Sequence, residues 1–351
     1  MTIHSGRRAR LAEALPARGV EALLVTSRVN VRYLTGLDSS NAAVLVGADG
    51  SALLATDNRY VERARTLDVP VVEATDVAGA LAVPGAGVEA ASMSIATYRS
   101  LLDRLGGSGE VLVPLEPVVE TLRAVKDEDE LELLRTACAI TDQAFADVCR
   151  AIAPGLTERE VAHLLEARMA ELGAARPAFD SIVAAGENGS VPHHIPTTRP
   201  LRAGDLVTLD FGAQYEGYHA DMTRTVSLGE PAAWQRELYD LVADAQRAGR
   251  EALKPGADVR QVDAAARSVI EAAGHGGHFR HGLGHGVGLA IHEEPFLGPS
   301  RTGRLEDRVP ITVEPGVYLP GQGGVRIEDT LVTREGEPEL LTKTTKELLV
   351  L

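Results

Sequence analysis

Short apolar runs at residues 22–26, 42–46, 52–55 and 111–113 alternate with helix-like stretches over the first third of the chain. Strand-length runs separated by such segments predict a small α/β domain. Pro114 and Pro117 then interrupt an extended segment, and the pattern turns strongly helical after Lys126. That change places a boundary near residue 122, with an N-terminal domain over 1–122 and a second domain over 123–351. The helix that opens the second domain is well marked. Asp127 with Glu130 three residues on forms a capping box, and Leu131, Leu134, Cys138, Phe145, Val148 and Ile152 fall on one face. Pro154-Gly155 ends it.

A repeat follows. Pro154-Gly155-Leu156-Thr157-Glu158-Arg159-Glu160-Val161 returns as Pro255-Gly256-Ala257-Asp258-Val259-Arg260-Gln261-Val262, with a helix cap at Thr157 or Asp258 and a stop at Gly173 or Gly274. The offset is constant through both copies. Each copy is preceded by a long helix and followed by strand-rich sequence, which predicts two related α+β halves about a pseudo-twofold axis. A cleft between such halves is a natural place for a site.

Two hairpins carry the candidate chemistry. Residues 206–212 and 217–228 read as strands joined through Gln214-Tyr215-Glu216-Gly217, and pairing centred on Tyr215 and Glu216 sets Asp210 opposite Asp221. Residues 311–319 and 324–333 form a second hairpin about Pro320-Gly321-Gln322, in which Glu314 faces Glu328. A solvated polar face would scatter its charges among exposed alternating positions. Here the neighbours Leu209, Phe211, Val313 and Ile327 are apolar, so each acidic pair is placed on a buried face, where like charges need a bridging proton or cation. Between the hairpins, His281-Gly282-Leu283-Gly284-His285-Gly286-Val287-Gly288 has too much glycine for an ordinary helix and predicts a tight loop or irregular strand. Four carboxylates and one imidazole suit Mn²⁺, Co²⁺ or Zn²⁺ better than Ca²⁺, and charge counting favours two divalent ions. Two other motif readings fail: His292-Glu293-Glu294-Pro295 has no second histidine at metalloprotease spacing, and Gly284, Gly286 and Gly288 lack dinucleotide-loop spacing.

Composition narrows the class. The chain has 351 residues, 44% hydrophobic and 24% charged, ordinary for a globular protein with a substantial core. Its 50 acidic against 35 basic residues give a net charge of −15, which argues against nucleic acid or an anionic membrane as partner. Cys138 and Cys149 sit on one predicted helix roughly 16 Å apart, too far for a disulfide, and read as core thiols of a reducing compartment. Glu13 and Pro16 interrupt the start where a signal peptide needs an apolar stretch, and no run reaches membrane-span length, so a cytoplasmic protein is expected.

In order and spacing, Leu209-Asp210-Phe211-Gly212, Asp221-Met222-Thr223-Arg224-Thr225, Gly284-His285-Gly286-Val287-Gly288, Glu314-Pro315-Gly316-Val317-Tyr318 and Val325-Arg326-Ile327-Glu328-Asp329 resemble the pita-bread metallopeptidases: aminopeptidase P, prolidase and, more distantly, methionine aminopeptidase. Asn30-Val31-Arg32-Tyr33-Leu34-Thr35-Gly36 resembles the creatinase-type N-domain, which methionine aminopeptidase lacks. The resemblance therefore implies a creatinase-like α/β domain followed by an α+β pita-bread catalytic domain, acting on proline-containing peptides. It implies that Asp210 holds one ion, that Asp221 and Glu328 bridge two, most simply Mn²⁺, and that His285 and Glu314 complete the second. It further implies that His193 and His292 contact the substrate carbonyl and the tetrahedral intermediate, that Glu314 handles the proton, and that His281 and Arg326 line a proline pocket supported by Tyr318. His194, next to His193 on an extended segment, points the other way and takes a structural role. A homodimer is expected on the same resemblance.

Two departures bear on activity. Prolidases often carry an arginine after the His-Glu-x-Pro segment, suited to gripping a dipeptide's carboxylate, and here that place is Phe296. The sequence therefore leans to an aminopeptidase of the aminopeptidase P type, with Xaa-Pro dipeptidase as the alternative and Arg301, Arg304 or an arginine of a neighbouring subunit's N-domain as substitutes for the missing guanidinium. Asp307-Arg308-Val309-Pro310 also lacks the glycine usual ahead of the Glu-Pro-Gly strand. The reading from another class is a catalytically silent pita-bread binding protein. Such relatives lose metal ligands, whereas all five positions are present here.

Overall fold

The computed structural model describes residues 2–107 and 111–351. Contacts divide the chain into two compact units, one ending at Arg123 and the other running from Ala124 to Leu351.

In the first unit, the described residues form a six-stranded sheet from β1 (Ala22–Val25), β2 (Ala42–Gly47), β3 (Ala52–Thr56), β4 (Val71–Glu73), β5 (Ala86–Glu89) and β6 (Leu112–Leu115). Its order is β4-β3-β2-β1-β5-β6, with β1, β2 and β3 antiparallel and the outer pairings parallel. The Asn30 to Gly36 motif lies on a helix, Arg28–Thr35, that Gly36 closes in the left-handed conformation at φ 81°. Asn30 is fully buried, and its amide donates to Glu89 at 2.7 Å while its carbonyl accepts from Arg123 at 2.8 Å. Glu89 also accepts from the Thr26 and Ser27 backbone N–H groups, so the motif is a satisfied buried polar network of this unit.

The second unit is built twice. One half packs the helices Glu128–Cys149 and Glu158–Glu171 on β7 (Ile182–Ala185), β8 (Leu206–Phe211) and β9 (Met222–Ser227), and the other packs the helices Ala233–Ala252 and Val259–Ala272 on the strands Gly284–Gly286, Glu293–Leu297, Pro310–Val313 and Asp329–Val332. The capped helices fill the two cores with matching positions: Val161, Leu165 and Met169 in one, Val262, Ala266 and Ile270 in the other, all 0% exposed. Burying each large apolar side chain of this kind contributes about 1.5–3 kcal/mol, so the duplicated pattern is a property of packing. The turns ahead of the helices match as well. Gly155 and Gly256 take positive φ, and their N–H groups donate to Leu201 and Leu305. Thr157 makes its capping box with Glu160, and Asp258 caps through Arg260 N–H. The α/β unit followed by an α+β unit expected from the sequence is therefore present, with the internal duplication visible in the core.

Further strands are β10 (Gly284–Gly286), β11 (Glu293–Leu297), β12 (Pro310–Val313), β13 (Asp329–Val332), β14 (Glu339–Leu340) and the separate hairpin of Gly316–Leu319 with Gly323–Arg326, beside a small sheet of Arg176–Pro177, Ala213–Tyr215 and Tyr218–His219. The sheet order is β11-β10-β12-β13-β14. The turn at residues 307–310 forms without its glycine. Arg308 takes φ 60° there, a conformation that costs a non-glycine residue roughly 1–2 kcal/mol, and its backbone is tied to Lys126 and Thr333. Cys138 and Cys149 are both free and share the helix Glu128–Cys149. No helix among the described residues is long and apolar enough to cross a membrane.

Candidate active site

The first hairpin corrects one expectation. Thr223, not Asp221, lies opposite Asp210, and the pairing runs on to Gln214 with His219 and Tyr215 with Tyr218. The loop is thus the two residues Glu216 and Gly217, both at positive φ (46° and 85°), the backbone that matches the twist of a tight hairpin. The register moves by two residues, and a shift of two keeps every side chain on its face. Asp221 therefore still shares a face with Asp210. It stands beside Gly212, where a Cβ would lie 1.8 Å from the Ala220 carbonyl oxygen, so only glycine allows this approach.

The second hairpin keeps the expected register. Val313 pairs with Asp329 and Gly316 with Arg326, which sets Glu314 against Glu328 in the gap between the two ladders. His285 reaches the same place from β10, where the pairing with β11 shifts between His285 and Gly286. A bulge at this point re-aims the side chain. A Cβ on Gly284 would fall 1.9 Å from the Thr312 carbonyl oxygen, which explains the glycine before the histidine. Thr312 Oγ1 accepts the His285 N–H at 3.0 Å and donates to Glu314 at 3.3 Å.

The His285 ring is oriented by its own strand. Nδ1 lies 2.9 Å from the Gly286 carbonyl, which requires a proton on Nδ1 and turns Nε2 inward. Nε2 is 3.5 Å from Asp221 and 3.5 Å from Glu314, and ligand atoms of Asp221, His285 and Glu328 all lie within 4.8 Å of one another. Atoms sharing a cation at about 2.1 Å sit roughly 3–3.5 Å apart, so the two separations from Nε2 suit a metal ion. Electrostatics agrees. Burial first, and then the neighbouring acids, push Asp221 up to about 6 and Glu314 up to about 7, and raise Glu328 well above the carboxylate range. Burial alone would lower His285, yet Asp221 and Glu314 hold it up at about 9. Asp210 Oδ2 accepts from Arg326 at 2.6 Å, while its buried Oδ1 has no partner among the described residues. An orphaned carboxylate oxygen beside three strained acids is a place for a cation, and the donor set fits one.

Asp210, Asp221, His285, Glu314 and Glu328 line a single cavity of about 750 Å³ together with His193, His281, His292, Tyr318 and Arg326. Arg326 donates to Tyr318 Oη at 2.9 Å, and Tyr318 Oη lies 2.9 Å from His281 Nε2. His281 Nδ1 is 2.8 Å from the Gly282 carbonyl, so the chain closes with a neutral imidazole. Burial, and then Arg326, lower His281 to about 4, while burial raises Tyr318 to about 12. The His292 ring meets the His285 ring edge-on at 4.4 Å. Arg326 also pairs with an acid, the ordinary reading of such a residue, and that acid is Asp210 itself.

Two positioning groups were not singled out from the sequence. Glu158, fully buried, accepts from the Ala185 N–H at 2.9 Å, Asn188 Nδ2 at 2.9 Å, and Thr197 N–H and Oγ1 at 3.0 and 2.7 Å, and meets His194 Nε2 at 2.9 Å. Burial favours its protonated form, but these donors hold its carboxyl below the usual range. Glu158 thereby clasps both ends of the loop carrying His193. Glu158→Gln is expected to cut kcat/KM about tenfold with metal content unchanged, whereas His194→Ala, which removes one contact, changes it less. Steady-state kinetics with elemental analysis of both variants checks this. The other group is Lys126, whose Nζ lies 2.8 Å from Glu293, both side chains almost fully buried. Glu293 also accepts from the Ala290 N–H, so the pair anchors the loop that bears His292.

A duplicated α+β unit with a buried cluster of acids and one imidazole defines a metal-dependent hydrolase. Residues 132–335 match the model of metallopeptidase family M24, and residues 7–125 match the creatinase/prolidase N-terminal domain. The chain belongs to metallopeptidase family M24. It is 34% identical over 343 residues to a Xaa-Pro dipeptidase of Pyrococcus furiosus, covering 97% of this chain and 98% of that protein. Among solved structures it is similar to a Xaa-Pro dipeptidase from Bacillus anthracis, with 35% identity, a TM-score of 0.95 and coverage of 99% of this chain and 100% of that one. It is also similar to an X-Pro aminopeptidase from Thermotoga maritima, with 34% identity, a TM-score of 0.87 and coverage of 95% and 98%.

Proposed function

We propose that this metallopeptidase hydrolyses the bond ahead of proline in short peptides, as a Xaa-Pro dipeptidase. The observation that carries the reading is the meeting of Asp210, Asp221, His285, Glu314 and Glu328 in one cavity whose wall holds His193, His281, His292 and Arg326. The names of the similar proteins favour the dipeptidase over the aminopeptidase to which Phe296 inclined the sequence reading. Aminopeptidase activity is the second reading, supported by the Thermotoga maritima structure.

Two divalent cations, Mn²⁺ by the oxygen-rich donor set, would be held by Asp210, Asp221, Glu314, Glu328 and His285. When bound, they supply Lewis acidity to the scissile carbonyl and lower the pKa of water. The chain's own groups do the rest. His193 and His292, both in the cavity wall, would steady charge developing on the carbonyl oxygen through their imidazole N–H groups. Glu314 would take a proton from water and return it to the departing proline nitrogen. The neutral His281 and the Tyr318 ring give the proline a wall without a competing charge, and Arg326 holds that wall to Asp210. Elemental analysis should find two equivalents of divalent metal. Alanyl-proline should be cut faster than alanyl-prolyl-alanine, and alanyl-alanine poorly. Hydrolysis of the tripeptide alone would establish the second reading, and a purified protein with neither metal nor Xaa-Pro cleavage would sink both.

A further inference from the structure

Thr223 and Arg224 are neighbours on β9, and successive side chains of a strand leave by opposite faces. Thr223 reaches Glu328 with its hydroxyl, at 2.7 Å. Arg224 leaves by the other face and is fully buried there. Its Nε donates to the Thr345 carbonyl at 2.9 Å, one terminal nitrogen donates to the carbonyls of Thr223, at 2.9 Å, and Glu328, and the other donates to Asp329 and to the Thr344 carbonyl, both at 2.7 Å. A guanidinium has five N–H groups, so each meets one acceptor. Asp329, also fully buried, is equally engaged: Oδ1 accepts from Arg224 and, at 3.0 Å, from Thr342, while Oδ2 accepts from Gln246 at 2.9 Å and Lys346 at 2.8 Å. The next residue, Thr330, donates its hydroxyl to the Asp221 carbonyl at 2.8 Å and its N–H to Thr342 at 3.1 Å. The carbonyls of Asp221 and Glu328 are thus both held from behind.

The segment 342–346 that receives these bonds is itself fixed from both halves of the unit. Asp142, on the first long helix, accepts from the Lys343 and Thr344 N–H groups at 2.8 and 2.9 Å, and Tyr239, on the helix Ala233–Ala252, donates to the Lys346 carbonyl at 3.1 Å. A buried ion pair is a poor source of net stability, because desolvation offsets the attraction and packed apolar side chains serve as well. An apolar side chain cannot hold a carbonyl. Side-chain ligand atoms of Asp221 and Glu328 meet those of His285 within 4.8 Å, and two carboxylates at such a distance repel until a cation joins them. Fixing both backbones limits that recoil.

We infer that Arg224, clamped between the Glu328 carbonyl and the segment 342–346, is a positioning residue for the metal site: together with Thr330 it keeps the carboxylates of Asp221 and Glu328 at ion-binding spacing before a cation arrives. The inference rests on the metal-holding reading above. A purely structural Arg224 would cost the fold stability when replaced and leave the ligands where they are.

The test titrates Mn²⁺ calorimetrically into metal-stripped protein and records the visible absorption of the Co²⁺-loaded form, for the wild type, Arg224→Lys, Thr330→Val and the core substitution Met169→Ala. A lysine keeps a charge for Asp329 but cannot span the two carbonyls in the same fork, and valine keeps the shape of Thr330 without its donor. Each of these two variants should raise the Kd for Mn²⁺ about ten- to a hundredfold and alter the Co²⁺ bands. Met169→Ala should lower Tm and leave affinity and bands near the wild type's. Wild-type-like affinity and bands in either Arg224→Lys or Thr330→Val would overturn the assignment, and so would an equal loss in Met169→Ala, which would make metal binding a reflection of stability alone. If Arg224→Lys does not fold, Thr330→Val decides by the same readings. A wild type that binds neither ion removes the metal reading itself, an outcome seen before any variant is compared.

Discussion

Glu328→Gln, or Asp221→Asn, should lower kcat/KM about a thousand-fold or more, about 4 kcal/mol of transition-state stabilisation. Glu328 accepts from Thr223 Oγ1 at 2.7 Å through Oε2, which leaves its other oxygen for a cation. An amide in either place turns one acceptor into an N–H donor aimed at the metal positions and removes a charge that both ions need. The same change should act oppositely on stability. Asp221, Glu314 and Glu328 are all raised by burial and by one another, so a neutral amide in place of one removes an ionisation that the buried site opposes when no metal is present. The metal-stripped variants should therefore melt no lower than the stripped wild type, which separates loss of metal from loss of fold. Kinetics, elemental analysis and melting curves in chelator read the three effects. Turnover like the wild type's in either variant would end the assignment of a bridging ligand.

How far the sequence could be read depended on where each piece of information lies. Pro320-Gly321-Gln322 admits one tight turn, with Gly321 at φ 74°, and the register of the second hairpin followed from it. In Gln214-Tyr215-Glu216-Gly217 two placements compete, and the structure takes the one that puts a glutamate at positive φ, where residue preference gives little guidance. The duplication was legible because the capped helices bury the same positions, Val161 with Val262 and Met169 with Ile270. The glycine-rich stretch around His285 was legible as an irregular strand, since glycine is needed wherever another backbone approaches this closely. Glu158 was not legible. Beside the capping box of Thr157 and Glu160 it reads as one more acidic residue in a first helical turn, and only the fold brings Asn188, His194 and Thr197 onto it. Lys126 and Glu293 are likewise far apart along the chain, so nothing local marks their contact. The geometry also changes the meaning of Phe296. In the sequence it is a missing charge, and in the fold it carries Arg301.

Removing the metal should destabilise the protein, and the loss should grow with pH. Without cations, Asp221 at about 6 and Glu314 at about 7 still hold protons in the folded state where the unfolded chain, with carboxyls near 4, has released them. The folded state then binds more protons, so stability of the stripped protein falls as pH rises from about 4 to about 7. His285, at about 9 when folded against an ordinary value near 6.5, extends the decline toward pH 9. Cations take the place of those protons and bind best where the ligands are already deprotonated, so the loaded protein escapes the decline. Free metal at about 100 times its dissociation constant contributes about 2.7 kcal/mol, or about 5–10 °C in Tm for a unit of this size. The gap in Tm between loaded and EDTA-treated protein should accordingly be small at pH 5 and widest near pH 8, with activity returning when Mn²⁺ is restored. A gap that is constant or narrows across that range would mean that protons and metal do not compete for these side chains, and the acids would then need another partner to explain their burial.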